Sequence, residues 1–369
     1  MKLWTRNNIL VALCVMAVAF GGAGLSRLAR LSRDWQPTPE QAFEAAKSGD
    51  AGTVDSYISH GGNVNWENKD YELSLLQAAC AYGQEAAASR LLTGGAQIND
   101  PNRFGWTPLH FAANSGKERL VALLLSRGAR ADVRNCHGCL PVHYAAELLH
   151  GAGLDLLIGR GHLDVRDNEG KTPLAHAVEC YNQQAAWKLT SSGADVNVKN
   201  NYGYTPLYQV VRNGWLALAS SVVKQGGKED IFVASGLGDT KWVGQYLQRK
   251  GNPNVRDGLG YSPLHWACAN AQFDAAKMLI ATGADVNALN SAKITPLIIT
   301  LNEDSLPAQS RFNSPQPDAE ARRRIVGLLL QSGAAVHIRD CFGNAAVDYA
   351  RAGRYSDPIA LLTPGGTAR

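Results

Sequence analysis

Short apolar stretches recur in pairs along most of the chain, and each pair carries the same polar punctuation. An alanine-rich stretch opens behind Thr107-Pro108-Leu109-His110, Thr172-Pro173-Leu174, Thr205-Pro206-Leu207, Ser262-Pro263-Leu264-His265 and Thr295-Pro296-Leu297, with Leu140-Pro141-Val142-His143 as a looser copy. A second, aliphatic stretch such as Leu123-Leu124-Leu125 or Leu328-Leu329-Leu330 follows and runs into a glycine. A hydroxyl residue before proline predicts a helix start, because the hydroxyl accepts an orphan backbone N–H and proline tolerates the first helical position. The glycine beyond the second stretch predicts a left-handed C′ cap. Small pairs such as Ala112-Ala113, Ala145-Ala146 and Ala267-Cys268 let neighbouring helices approach closely. Each unit therefore predicts helix, turn, helix and a glycine stop.

The stops form a ladder. Gly61, Gly95, Gly128, Gly161, Gly193 and Gly226 are spaced by 34, 33, 33, 32 and 33 residues, and Gly251, Gly283 and Gly333 follow. A period of this length marks a stacked solenoid, which buries its core in slices between neighbours. In period and in the Thr-Pro-Leu-His motif the chain resembles the ankyrin repeat family. The resemblance implies an all-α ankyrin-repeat solenoid of about ten helix-turn-helix units with short hairpin-like turns over residues 40–362. Both end units lack the motif, as capping repeats do.

Two intervals break the period. Gly226 to Gly251 is 25 residues, and the unit beginning Ile231-Phe232-Val233-Ala234 resembles the first, Phe43-Glu44-Ala45-Ala46, so a seam is expected near 226–251. Gly283 to Gly333 is 50 residues, which places a proline-containing insertion at 302–318, expected to leave the stack as a loop.

The N-terminus is of another kind. Lys2 and Arg6 precede an uncharged, mostly apolar run from Ile9 to Leu25, which predicts a signal peptide or signal anchor over 1–25. A basic linker follows over 26–39, with Arg27, Arg30 and Arg33, and 363–369 is a tail. Ala17-Val18-Ala19 fits a cleavage site, and charge does not set the orientation, so export and anchoring on either side of a membrane stay open. The formal net charge of +4 belongs to this end. Beyond residue 33 there are 31 basic and 32 acidic residues, a neutral body that argues against nucleic acid as a partner. Arg322-Arg323-Arg324 is the only dense basic cluster there and is expected to be a solvated helix face.

Seven cysteines make no disulfide-framework spacing. Cys80 and Cys268 replace the second alanine of a small pair and read as buried hydrophobes, while Cys180 and Cys341 are isolated. Cys136-His137-Gly138-Cys139 falls on a turn tip, where two unpaired thiols, a redox pair and a metal site compete. His110, His143 and His265 sit at the motif histidine, which the resemblance implies is structural. His60, His150, His162, His176 and His337 share no spacing with one another or with a carboxylate. No phosphate loop, nucleophile elbow or metalloprotease helix is present. A non-catalytic protein without cofactor or metal is expected.

Recognition remains. In the resembled family the turn tips and the residues after the small pair face the concave side. That selects Phe104, Trp106, Tyr202, Tyr204, Tyr261, Phe342 and His137 at tips, and Asn114, Ser115, Glu147, Leu148, Glu179, Arg212, Asn213 and Asn270 on inner helices. The expectation is a monomeric scaffold or binder at or beyond a membrane that recognises a protein partner. Two alternatives are a redox- or metal-responsive module on Cys136 and Cys139 and an inhibitor that masks an effector.

Overall fold

The computed structural model describes residues 36–148, 153–302 and 319–352. The apolar N-terminal run, residues 26–35 of the linker, His150, residues 303–318 of the insertion and the tail lie outside the described residues. Among the described residues no helix is long and apolar enough to cross a membrane.

The chain forms two compact units, divided between residues 194 and 195. The first contains α1 (Pro39–Ser48), α2 (Ala51–Ser59), α3 (Leu75–Ala81), α4 (Glu85–Thr93), α5 (Pro108–Ser115), α6 (Glu118–Ser126), α7 (Pro141–Glu147), α8 (Leu154–Ile158), α9 (Pro173–Glu179) and α10 (Gln183–Ser191). The second contains α11 (Pro206–Arg212), α12 (Leu216–Lys224), α13 (Ile231–Leu237), α14 (Thr240–Gln248), α15 (Pro263–Ala269), α16 (Phe273–Ala281), α17 (Pro296–Leu301), α18 (Ala319–Gln331) and α19 (Ala346–Ala352). The only paired strands among the described residues are β1 (Glu67–Asn68) and β2 (Leu73–Ser74), antiparallel with Glu67 opposite Ser74, at the first turn tip.

Packing follows the repeat. In the first unit α1, α3, α5, α7 and α9 pack in succession, and α2, α4, α6, α8 and α10 form a parallel outer row. In the second unit α11, α13, α15, α17 and α19 make the inner row. The small pairs lie in these slices, with Ala112, Ala113, Ala145, Ala146, Ala267 and Cys268 all fully buried. Burial pushes the Cys268 thiol up to about 12, as befits a small hydrophobe.

The caps are made as the sequence predicts. Thr172, Thr205 and Thr295 accept the backbone N–H three residues on. The motif histidines serve two repeats at once. His110 Nδ1 accepts from the Thr107 N–H at 3.1 Å, while Nε2 donates to the Cys139 carbonyl of the next tip at 3.1 Å. His143 and His265 repeat this on Val165 and Ile294, both at 3.0 Å. Gln77 fills the same role in the second repeat, bonding the Asp100 carbonyl at 2.9 Å.

The glycine ladder is left-handed at Gly61, Gly95, Gly128, Gly161, Gly193, Gly226, Gly283 and Gly333, but Gly251 departs from it. There Lys250 takes the left-handed position, with φ of 60°. Gly251 is required for another reason, since the Tyr246 ring lies where its Cβ would be. The shortened unit lies inside the second compact unit, where α13 packs on both α11 and α15. Like the first repeat it joins its helices through Gly-Asp: Gly49 and Gly238 are left-handed C-caps, and Asp50 and Asp239 are the next N-caps.

The arginine triplet is not one solvated face. Arg322 is 4% exposed and donates to the Thr300 carbonyl at 2.8 Å and the Ala269 carbonyl at 3.2 Å, the C-terminal ends of α17 and α15. Carbonyls left unsatisfied at helix ends attract a cation. Arg324 stacks on Phe273 at 3.9 Å, and Arg323 pairs with Glu320 on the surface.

Two stability effects follow. Lys250→Gly removes a left-handed side chain and raises stability by about 0.5–1 kcal/mol, whereas Gly226→Ala lowers it by about 1 kcal/mol. Arg322→Ala costs about 3 kcal/mol by leaving two buried carbonyls without their charged donor, and Arg323→Ala costs under about 0.5 kcal/mol. Urea midpoints of the four variants check the signs and the ranking.

Candidate functional site

Seven turn tips are closed by the same side-chain hydrogen bonds. Asn102, Asn135, Asp167, Asn200, Asp257, Asn290 and Asp340 each use Oδ1 to accept the backbone N–H groups two and four residues ahead, at 2.8–3.1 Å. This Asx turn satisfies donors the short tip leaves unpaired. It also divides the aromatic series. Residues two after the Asx project outward, with Phe104 45%, Tyr202 68% and Phe342 80% exposed and His137 exposed as well. Residues four after it turn inward and are half-buried: Trp106 lies 4.4 Å from Tyr144, Tyr204 stacks on Tyr208 at 4.7 Å, and Tyr261 meets His265 edge-on at 5.6 Å. Trp106, Tyr204 and Tyr261 thus pack one side on the inner helices while remaining partly exposed.

The second Asx atom has its own partner nine residues on. Asn135 Nδ2 donates to the Tyr144 hydroxyl at 2.6 Å, Trp266 Nε1 donates to Asp257 Oδ2 at 2.9 Å and the Tyr349 hydroxyl to Asp340 Oδ2 at 2.5 Å. His176 faces Asp167 Oδ2 at 2.8 Å. The sequence does carry this signal: a tip Asx followed nine residues later by a phenol, indole or imidazole just after the Thr-Pro-Leu-His slot.

One tip is missing. Between α12 and α13 the chain passes from Gly226 to the N-cap Asp230 in four steps, without the tip that separates Gly193 from Thr205. Tyr208 stands in the motif-histidine slot of α11, and with no adjacent tip to bond, its hydroxyl reaches Asp257 Oδ2 at 2.7 Å beside the Trp266 N–H. Burial, with the adjacent Asp257 carboxylate, raises the Tyr208 pKa, so the phenol stays a neutral donor. An open cleft with about 70 Å³ of internal space results, lined by Tyr208, Arg212, Tyr261, Trp266, Asn270 and Ile299 among others. Arg212 is exposed and makes no ion pair with a described residue.

Of the expected partner residues, Arg212, Tyr261 and Asn270 meet at this cleft. Asn270 is only 4% exposed and forms its floor, and Asn213 is 5% exposed, so neither is a free surface residue. In the first unit Asn114 is exposed, while the Ser115 hydroxyl caps the Ala112 carbonyl at 2.9 Å. Leu148 is half-buried. Glu147 and Glu179 are committed to ion pairs, with His176 at 2.7 Å and Lys171 at 2.7 Å. Tyr208 and Trp266 were missed because aromatics inside an apolar helix read as core, and Asp257 because a carboxylate at a tip reads as a turn residue.

Cys136 and Cys139 part company. Both are free thiols, but Cys136 is exposed and Cys139 is 3% exposed, with Sγ turned toward Asp167 Oδ2 at 3.8 Å. The expected histidine pattern is corrected here too, because His176 sits between two carboxylates, Nδ1 on Glu147 and Nε2 on Asp167. Burial works to lower its pKa, but hydrogen bonds with Cys139, Glu147 and Asp167 outweigh it and raise the pKa to about 10. Asp167 lies nine residues before His176 in the same repeat, but Glu147 comes from the end of α7 in the preceding repeat, which linear spacing does not show.

The family model for ankyrin repeats in three copies matches overlapping windows that together run from residue 42 to 306. The chain belongs to the ankyrin repeat family. Over 143 residues it is 30% identical to neurogenic locus notch homolog protein 1 of Danio rerio and 28% to that of Homo sapiens, covering 36% of this chain and 6% of each relative. An ankyrin repeat protein of Acanthamoeba polyphaga mimivirus is 27% identical over 193 residues, 52% of this chain and 20% of the relative. The chain thus spans a small part of the length of these proteins. Ankyrin repeats imply a protein-interaction scaffold.

His265, on the wall of the cleft, titrates against the fold. Burial holds its pKa at about 4, below the ordinary 6.5, although the bond to the Ile294 carbonyl opposes this. The unfolded chain takes up a proton that the folded chain refuses, so the stabilisation is complete above pH 6.5 and is lost as pH falls toward 4. At pH 5 the loss is about 2 kcal/mol. His265→Gln lowers stability at pH 7 and flattens the fall of the urea midpoint between pH 7 and 5; an unchanged slope contradicts the assignment.

Proposed function

We propose that this chain is a non-catalytic binding scaffold that holds a protein partner through the cleft of its second unit, assisted by outward tip aromatics. The cleft carries the reading. It combines aromatic walls, a buried amide floor and an exposed guanidinium, the residue types that dominate interface energetics. Arg212 over aromatic walls selects a carboxylate-bearing or aromatic side chain of the partner. The neutral body supports a protein rather than a nucleic acid. The apolar run at 9–25 supports a site of action at or beyond a membrane, and a monomer suffices for the recognition described.

The test is recovery of a partner by the full-length chain from membrane and soluble extracts. The Arg212→Glu chain is expected to retain at least about tenfold less of the same protein, a loss near 1.4 kcal/mol. A combined Phe104→Ala, Tyr202→Ala, Phe342→Ala chain, altered only at exposed tips, is expected to weaken retention further. Equal retention by both variants overturns the reading.

A further inference from the structure

Two side chains of the first unit, Cys139 and His176, depart from the aromatic choices made at several other tips and converge with the tip residue Asp167 on one point. Cys139 occupies the slot four residues after the tip Asx, where three other tips place Trp106, Tyr204 and Tyr261 and the rest place Lys171, Ile294 and Asn344. His176 occupies the slot nine residues after the Asx, where the tips of Asn135, Asp257 and Asp340 place Tyr144, Trp266 and Tyr349. Asp167 is the Asx that joins them. The repeat needs neither a thiol nor an imidazole at these slots, because a phenol or indole closes the equivalent turn elsewhere.

We infer that Cys139, Asp167 and His176 form a binding site for one divalent metal ion of the zinc class. One ligand atom from each lies within 4.8 Å of the other two. Cys139 Sγ is 3.8 Å and His176 Nε2 2.8 Å from Asp167 Oδ2. A tetrahedral zinc ion with bonds of about 2.0–2.3 Å sets its ligands about 3.3–3.8 Å apart, so small movements admit it. Thiolate, imidazole and carboxylate together select zinc or cobalt over magnesium and calcium.

The surroundings orient these ligands. Asp167 Oδ1 is already held by the Glu169 and Lys171 N–H groups at 2.9 and 2.8 Å, which leaves Oδ2 for the ion. Glu147 Oε1 accepts from His176 Nδ1 at 2.7 Å, which keeps that nitrogen protonated and turns Nε2 inward. A carboxylate behind a ligating histidine is the usual second support of a zinc site. Cys139 is 3% exposed, and the Asp167 and His176 side chains are 6% and 13% exposed. Binding replaces the Cys139 thiol proton and the Nε2 proton, releasing both to water, and forms one metal–sulfur, one metal–nitrogen and one metal–oxygen bond as the hydrated ion gives up water ligands. Three protein ligands leave a fourth position for water or a partner's side chain. The ion ties the tip carrying Cys139 to the next repeat, which supplies Asp167 and His176.

Cobalt titration of the reduced full-length chain tests this. One cobalt ion per chain is expected, with a thiolate-to-cobalt charge-transfer band and tetrahedral visible bands, all displaced by zinc. Cys136→Ser is expected to keep the bands and Cys139→Ser to lose the charge-transfer band. Glu147→Gln is expected to weaken affinity by about 10–100-fold. His176→Tyr installs the phenol that the preceding repeat uses at Tyr144, so it is expected to keep the helical circular dichroism of the parent while losing cobalt binding. The inference is overturned if the parent shows no charge-transfer band, if the band survives Cys139→Ser or disappears with Cys136→Ser, or if folded His176→Tyr binds cobalt as the parent does.

Discussion

The tips depend on one short polar side chain in each. A turn so short cannot satisfy its own N–H groups, and the Asx oxygen takes two of them at once, at residues two and four ahead. That bond decides which way everything on the tip points. At most tips the residue at the second position is thrown outward and the one at the fourth is turned inward, and at four of them the remaining Asx atom reaches the side chain nine residues on. The projecting Phe104, Tyr202 and Phe342, the closed Tyr208–Asp257–Trp266 corner and the Cys139–Asp167–His176 cluster are all variations on it.

Where the pattern is interrupted, the surface gains shape. Removing the tip between α12 and α13 costs the array one bridge between turns, and Tyr208 and Asp257 make a longer one across the vacancy. The space beneath is the cleft. Repeat arrays in general present a shallow, continuous face, and a missing element is a direct way to put a concavity in it. A departure from local rules at the place where ligand geometry exists is the usual relation between regularity and function.

Much of the fold was legible because it is set by local chemistry repeated in register. Helix starts, small pairs, motif histidines and most of the glycine stops depend on neighbours within a few residues. What was illegible depends on distance. Gly251 resembled a rung of the ladder, but only the Tyr246 ring explains why it is a glycine, and Lys250 bears the left-handed turn. Arg322 looked like one of three solvated arginines until the ends of α15 and α17 were placed against it. Trp106 and Phe104 are two residues apart with opposite fates, because the Asx bond sets a two-residue alternation that hydropathy does not register. His176 found Glu147 only through the stacking of two repeats, whereas Asp167 stands nine residues before it in its own repeat.

The buried guanidinium of Arg322 also bears on how such an array tolerates added sequence. It locks the fourth residue of α18 to the ends of two preceding inner helices, so the point of re-entry into the stack is specified by α18 itself. Chain inserted ahead of that point adds only a loop-closure cost that grows with the logarithm of its length, about 0.6 kcal/mol per doubling. The arginine therefore acts as a bookmark: segments of different length can be spliced between α17 and α18 during evolution or by design, and the repeats on either side keep their register.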